Sequence, residues 1–384
     1  MTQEDVFGDI RPYNPDELPQ VFEELIQDEG FREAVGVAYQ GVPFEQLVQA
    51  MRGCTDNLDF QRKLVYPMLK QLLAKASKGL EADFSAIDTT GCQSYTFVSN
   101  HRDIVLDSAF LDVALVDKGM KTIEIAIGDN LLIKPWIKKL VRVNKSFIVQ
   151  RSLTMREILL ASAKMSRYMH YAINVKHEGI WIAQREGRAK DSDDRTQDSV
   201  LKMMAMGGEG SLIERLKDLH IVPLSISYEY DPCDYLKAEE FQQKRDVEGF
   251  KKSQQDDLDN MRTGIFGYKG QVTYHAAPCI NDWLDTLDPA MSKQVFFRTV
   301  GEHIDHEIHA HYRIYPGNAR AADLLDGGTK RHDLYTDEQA VTFDRYVESQ
   351  LAKVTLPHAD GAFLRERLLT MYANPVFNHE KALS

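Results

Sequence analysis

Cysteine is scarce in this chain, and the four present, Cys54, Cys92, Cys233 and Cys279, lie far apart. No Cys-x-x-Cys pair occurs and no histidine stands near them at zinc-finger spacing, which excludes a disulfide framework or a zinc module as the basis of the fold. They read as free thiols of a reducing compartment. Cys92 precedes His101 by nine residues, but a lone cysteine is ordinarily a small buried hydrophobe rather than a nucleophile. Long apolar runs are missing too: no stretch reaches the roughly 18 residues needed to span a bilayer. Met1 to Asp9 carries acids and no apolar core, so a signal peptide is not expected there and a cytoplasmic location is, with contact at a membrane surface left open. Nor is there an excess of positive charge. The net charge is −12, which argues against a nucleic-acid partner while leaving room for a local basic patch that meets an anionic ligand.

Several catalytic signatures are also lacking. His101-Arg102-Asp103 evokes a kinase catalytic loop, but the place five residues beyond the aspartate is Ser108, and neither a Gly-rich loop nor Asp-Phe-Gly is present. Gly208-Glu209-Gly210-Ser211 does not have the spacing of a hydrolase nucleophile elbow. Asp191-Ser192-Asp193-Asp194 lacks the glycine and closing glutamate of a calcium loop. His303 and His306 stand three residues apart but have no evident third and fourth ligand, so no metal is expected.

What is present is an ordinary globular composition. Hydrophobic residues make up 43% and charged residues 27% of 384, enough to bury one large domain with an appendage, or two domains. Residues 1–88 read as a helical N-terminal subdomain: Leu18, Phe22, Leu25 and Ile26, then Phe44, Leu47, Val48 and Met51, recur at helical spacing. From 89 to 290 the rhythm changes. Apolar, β-branched runs at Tyr95–Val98, Thr122–Ala126, Phe147–Val149, Gly179–Ala183, Ile221–Ser227 and Gln271–His275 alternate with helical patterns at Ile104–Val116, Leu131–Val141, Met155–Ala172 and Ser199–Met206. Such alternation predicts an α/β domain, a mixed sheet flanked by helices. Within it, 234–262 is charge-dense and Gln-rich and reads as an exposed helical or flexible insertion. Residues 291–384 read as a helical C-terminal extension.

Four segments carry candidate chemistry. The first runs from Phe97 to Ser108, where a strand empties into a turn and a helix starts, placing His101 two residues before Asp103 and six before Asp107. An imidazole near a carboxylate can take a proton from a hydroxyl at neutral pH, the acid fixing its tautomer. The same residues would also serve as a plain helix start, with Asn100 or Asp103 as the cap. In the second segment, Phe147 to Ser152, a strand ends in Arg151, whose guanidinium can grip a phosphate or carboxylate. The third is Ile180 to Lys190, where Glu186-Gly187-Arg188 makes a turn and Arg185, Arg188 and Lys190 gather positive charge. The fourth is the strand Ile221 to Glu229, with Pro223 near its start. In addition, Ile133 to Arg142 combines Trp136, aliphatics and four cations, which fits either an interfacial anchor or an amphipathic helix packed on the core.

In their order, these four segments resemble the four blocks of the glycerolipid acyltransferase superfamily. The helical N-terminal region and a fourth block ending Ile-Ser-Tyr-Glu are most similar to glycerol-3-phosphate acyltransferases. The resemblance covers roughly Cys92 to Ile280. It implies transfer of a fatty acyl group from acyl-CoA or acyl carrier protein to a hydroxyl of glycerol-3-phosphate or a lysolipid, in phospholipid or related membrane-lipid synthesis. His101 would be the general base and Asp107, or alternatively Asp103, its orienting acid. Arg151, Glu186, Gly187 and Arg188 would bind the acceptor. No cofactor is implied, the acyl thioester being a co-substrate, and peripheral membrane contact fits a lipid product. Two spacings depart from the family pattern, which has Asp five residues after His and one more residue between Glu and Arg. They leave open a non-catalytic lipid- or acyl-thioester-binding protein on a decayed acyltransferase fold.

Overall fold

Parallel strands buried on both faces are coded by near-continuous apolar runs, and the runs identified above form most of a seven-stranded sheet. In the computed structural model, residues 5–150 and 155–384 are described. The strands are β1 (Gly79–Asp83), β2 (Thr96–Ser99), β3 (Glu124–Gly128), β4 (Ser146–Val149), β5 (Ile180–Ala183), β6 (Ile221–Tyr228) and β7 (Gln271–Ala276). Their order across the sheet is β1-β7-β6-β2-β5-β3-β4. Strands β2 to β6 run parallel to one another; β7 is antiparallel to β6, and β1 is parallel to β7. The sheet is therefore mixed, with helices on both faces.

Side chains alternate across the sheet plane. Val98, Phe147, Ile182 and Ile221 belong to one core layer, closed by the Met155–Tyr171 and Lys293–Ala310 helices. Phe97, Trp181, Val222 and Leu224 belong to the other, under the Leu106–Asp117 helix. The N-terminal helices bury Leu18, Phe22, Phe31 and Leu47 against Val143 and the partly buried Trp136 and Leu140 of the Pro135–Val143 helix. That helix is thus packed along its Trp/Leu face, on the N-terminal helices rather than on the sheet. Trp136 meets Phe31 edge-on at 6.2 Å, and the buried Arg142 donates to the Arg11 and Gly8 carbonyls (2.7 and 2.6 Å). This packing covers Arg142 and part of Trp136, while Ile133, Lys134 and Lys138 stay exposed.

Two other expectations are corrected. The first is β1, which lies inside the stretch expected to be helical throughout; Gly-Leu-Glu-Ala-Asp has no β-branched residue, and the strand forms only because β7 offers an edge to pair with. The second is 234–262, expected as an exposed helical or flexible insertion: it is helical, but only part of it is exposed. It forms the helices Asp234–Asp246 and Gln254–Phe266, and the first buries Asp234, Lys237, Ala238, Glu240 and Gln242. Apart from Ala238, these buried groups are polar and partnered, for example Asp234 by Tyr346 and Tyr372, and Gln242 by the His358 carbonyl and the Asp360 amide. A polar buried face looks solvated in sequence because its satisfaction comes from distant residues. Of the C-terminal histidines, His303 stacks on Trp283 at 3.8 Å, His311 stacks on His275 at 4.2 Å, and His306 is exposed.

Candidate active site

The register aligns Ser99 of β2 with Ala183 of β5 and Leu224 of β6, so the ends of β2 and β5 lie together beside β6. Sites in α/β sheets form at such C-terminal ends. The pairing continues past the strands by two devices. The buried Asn100 side chain imitates a strand residue, donating to the Ile226 carbonyl (2.9 Å) and accepting from the Ile226 amide (2.8 Å). Gln184 donates its backbone N–H to the Ser99 carbonyl (2.8 Å). The turns beginning at His101 and Arg185 are thereby held side by side.

His101 emerges from β2 with its side chain 12% exposed. Its Nδ1 lies 2.8 Å from Asp107 Oδ2. The same oxygen accepts the N–H groups of Arg102 (2.6 Å) and Asp103 (3.1 Å), while Oδ1 is buried with no hydrogen-bond partner among the described residues. The turn thus wraps over the Asp107 carboxylate, and a six-residue separation still closes the pair. Against an ionised carboxylate, which only accepts, Nδ1 is the donor, and in a neutral imidazole Nε2 then keeps a lone pair for a ligand. Asp103 plays a different part. Its Oδ1 accepts the N–H groups of Val105 (2.9 Å) and Leu106 (2.8 Å) and caps the helix. Burial, and after it the charge of Asp107, pushes the Asp103 carboxyl above its ordinary range, against the pull of those two amides. Trp181 meets the His101 ring edge-on at 5.7 Å and donates its indole N–H to Ser99 Oγ (3.0 Å).

His101 lines a cleft of about 610 Å³. Its lining includes an apolar set, Ile125, Ile127, Leu132, Ile137, Val149 and Met203. It also includes a charged set, Arg185, Glu186, Arg188, Lys190, Lys252 and Asp257, with Gly187 among them. Gly187 has φ +68°, the left-handed turn conformation that favours glycine. Arg188 is 9% exposed; its Nη2 donates to Asn260 Oδ1 (3.0 Å), and its Nη1 is buried without a partner among the described residues. The buried Glu240 touches Lys190, Lys244 (2.9 Å) and Lys252 (3.3 Å). Burial, then the charges of Lys244 and Lys252, pulls the Lys190 ammonium down to about 7; the Glu240 carboxylate in contact with it opposes this. Burial and Arg188 likewise lower Lys252. The lining cations outnumber the lining carboxylates, so the cleft attracts an anion.

Of the residues singled out from sequence, His101, Glu186, Gly187 and Arg188 line one cleft, with Asp107 and Asp103 buried behind His101. Arg151 lies outside the described residues; Gln150, its neighbour, lines the cleft. Trp181, Asn260 and Lys252 were not anticipated. The last two sit in the 234–262 segment, where Lys251-Lys252 is indistinguishable in sequence from a solvated charge pair. No protein-family model matches the chain, and a search of curated proteins finds no match either.

Proposed function

We propose that this protein is an O-acyltransferase that moves a fatty acyl group from acyl-CoA or acyl carrier protein to the hydroxyl of an anionic acceptor, glycerol-3-phosphate or a lysolipid. The observation that carries this reading is the His101–Asp107 pair opening on a cleft whose lining combines an apolar set with a group of cations. His101 Nε2 takes the acceptor hydroxyl proton, and the oxygen attacks the thioester carbonyl. As the tetrahedral adduct collapses, the C–S bond breaks and His101 returns the proton to the departing thiolate. Asp107 holds the ring in the required tautomer and stabilises the imidazolium between the two transfers. The products are an ester and a free thiol. In this reading the acyl chain packs on the apolar part of the lining, and Arg188, Lys190 and Lys252 face the acceptor's anionic group, joined by Arg185 and, as the family resemblance implies, Arg151.

Thiol release from acyl-CoA and from acyl carrier protein, measured over a panel of hydroxyl acceptors, tests the proposal. Acceptor-dependent release supports it; thioester binding with no release from any acceptor favours the non-catalytic alternative. Lys252→Gln raises the acceptor KM about three- to tenfold, the loss of one charge-assisted contact in a partly solvated site, and leaves the donor KM unchanged. Equal changes in both constants would remove Lys252 from acceptor binding.

A lipid product also calls for contact with a membrane surface. No described helix is long and apolar enough to cross a membrane. The support for peripheral contact is instead Ile158, Leu159 and Leu160, 41%, 61% and 64% exposed, beside the exposed Arg156. Ile158 also lines the cleft, so the patch adjoins it. Exposed aliphatics beside a cation suit an anionic lipid interface. The protein is expected to float with anionic liposomes, and Leu159→Asp/Leu160→Asp to abolish flotation; unchanged flotation of that variant would refute contact through this patch.

A further inference from the structure

Arg102, next to the candidate base, is buried, and the mechanism above makes no use of its side chain. Its Nη2 lies 2.7 Å from Oδ2 of the fully buried Asp194. Tyr312 donates its hydroxyl to the same carboxylate oxygen, and the guanidinium sits 5.5 Å from the Tyr312 ring centre. His309 donates its Nε2–H to the Asp194 carbonyl (2.8 Å). At its other end, Arg102 accepts at its carbonyl from Lys237 (3.4 Å), which is itself paired with Asp231. Arg102 is therefore gripped at both side chain and carbonyl, and its own N–H makes the 2.6 Å contact to Asp107 Oδ2.

A buried ion pair is a poor stabilising device, because desolvation consumes most of the attraction and apolar residues of similar volume do as well or better. What such a pair supplies is a fixed direction. Here it holds a backbone donor against the acid that orients His101. Two members of the grip, His309 and Tyr312, come from the C-terminal extension, beyond the part of the chain that resembles acyltransferases.

We propose that Arg102 is a positioning residue for the His101–Asp107 pair, clamped by Asp194 and Tyr312, so that the C-terminal helical layer sets the geometry of the candidate site. The inference rests on that pair and not on which reaction it performs.

The test compares wild type with Tyr312→Phe and with the double variant Arg102→Met/Asp194→Leu, which leaves no unpaired buried charge. Imidazole ¹⁵N spectra, with the His101 signals identified by their loss in His101→Ala, report the tautomer, and thermal unfolding reports the fold. In wild type His101 is held as the Nδ1–H tautomer. In both variants it mixes with the Nε2–H form while unfolding stays cooperative, and kcat for thiol release falls about 10- to 100-fold with both KM values unchanged. A pair that only fills the core would leave tautomer and kcat at wild-type values in the folded double variant, and that result overturns the proposal. If the double variant does not fold, Tyr312→Phe, which removes one hydroxyl, decides on the same two readouts. Should wild type release no thiol, the acyltransferase reading fails while the tautomer comparison still decides the positioning role.

Discussion

Replacing His101 with alanine is expected to lower acyl transfer by about 10²- to 10⁴-fold, the usual contribution of a general base. That corresponds to roughly 3–5 kcal/mol of transition-state stabilisation. The fold should hardly notice. The imidazole lines an open cleft, and among its contacts are the hydrogen bond to Asp107 and the edge-on contact with Trp181. In its absence Asp107 Oδ2 still accepts from the Arg102 and Asp103 amides, so no buried charge is orphaned. Thiol release and thermal unfolding measured on the same preparation check both halves. A His101→Ala protein that transfers acyl groups at the wild-type rate would end the general-base mechanism.

The second large effect falls on Asp107, and there the side chain chosen as replacement decides what is lost. In Asp107→Asn the amide oxygen can take the place of Oδ2 and keep both backbone donors, while the NH₂ group lies where Oδ1 had no partner among the described residues. The fold survives, but the negative charge that selects the His101 tautomer and stabilises the imidazolium is gone. Thiol release is expected to drop by about 10²- to 10⁴-fold, as when a buried triad carboxylate is neutralised. Asp107→Ala goes further, leaving the Arg102 and Asp103 N–H groups buried and unpaired. At about 1–3 kcal/mol for each such group, it is expected to lose about 2–6 kcal/mol of unfolding free energy in addition to the rate, a large part of the total for an ordinary domain. Asp103→Asn serves as the control: asparagine caps a helix about as well as aspartate, so stability changes by roughly 1 kcal/mol or less and the rate only severalfold. Denaturant unfolding with thiol release separates the three variants. If Asp103→Asn were the slow enzyme and Asp107→Asn the fast one, the roles assigned to the two acids would have to be exchanged.

The strands were legible wherever their code is local. Tyr95–Val98, Gly179–Ala183 and Ile221–Ser227 are short apolar runs bounded by polar turns, and each became a strand within a residue or two of its expected ends. The turn after β2 stood out as a chemistry-bearing segment, but His101 has two aspartates in reach along the chain. Choosing between them requires the path of the backbone, which turns the Arg102 and Asp103 amides onto Asp107 and gives Asp103 the helix end. Strand β1 shows the opposite limit: five residues with little β-propensity that pair because a neighbouring edge is free. The polar burial of 234–262 was invisible because its buried groups find partners 50 or more positions away, as Glu240 does in Lys190 and Gln242 in His358.

Composition and periodicity alone determined that this chain is an α/β protein with helical ends and a histidine poised where a strand turns into a helix, since hydrophobic spacing and strand-to-helix transitions are written over a few neighbouring residues. Only the tertiary structure decided that Asp107 rather than Asp103 faces that histidine, that Lys252 lines the cleft while Asn260 holds Arg188, and that Tyr312 grips Asp194. Each of these depends on groups being brought within hydrogen-bonding or ion-pairing distance by the path of the folded backbone, a condition that local spacing does not encode.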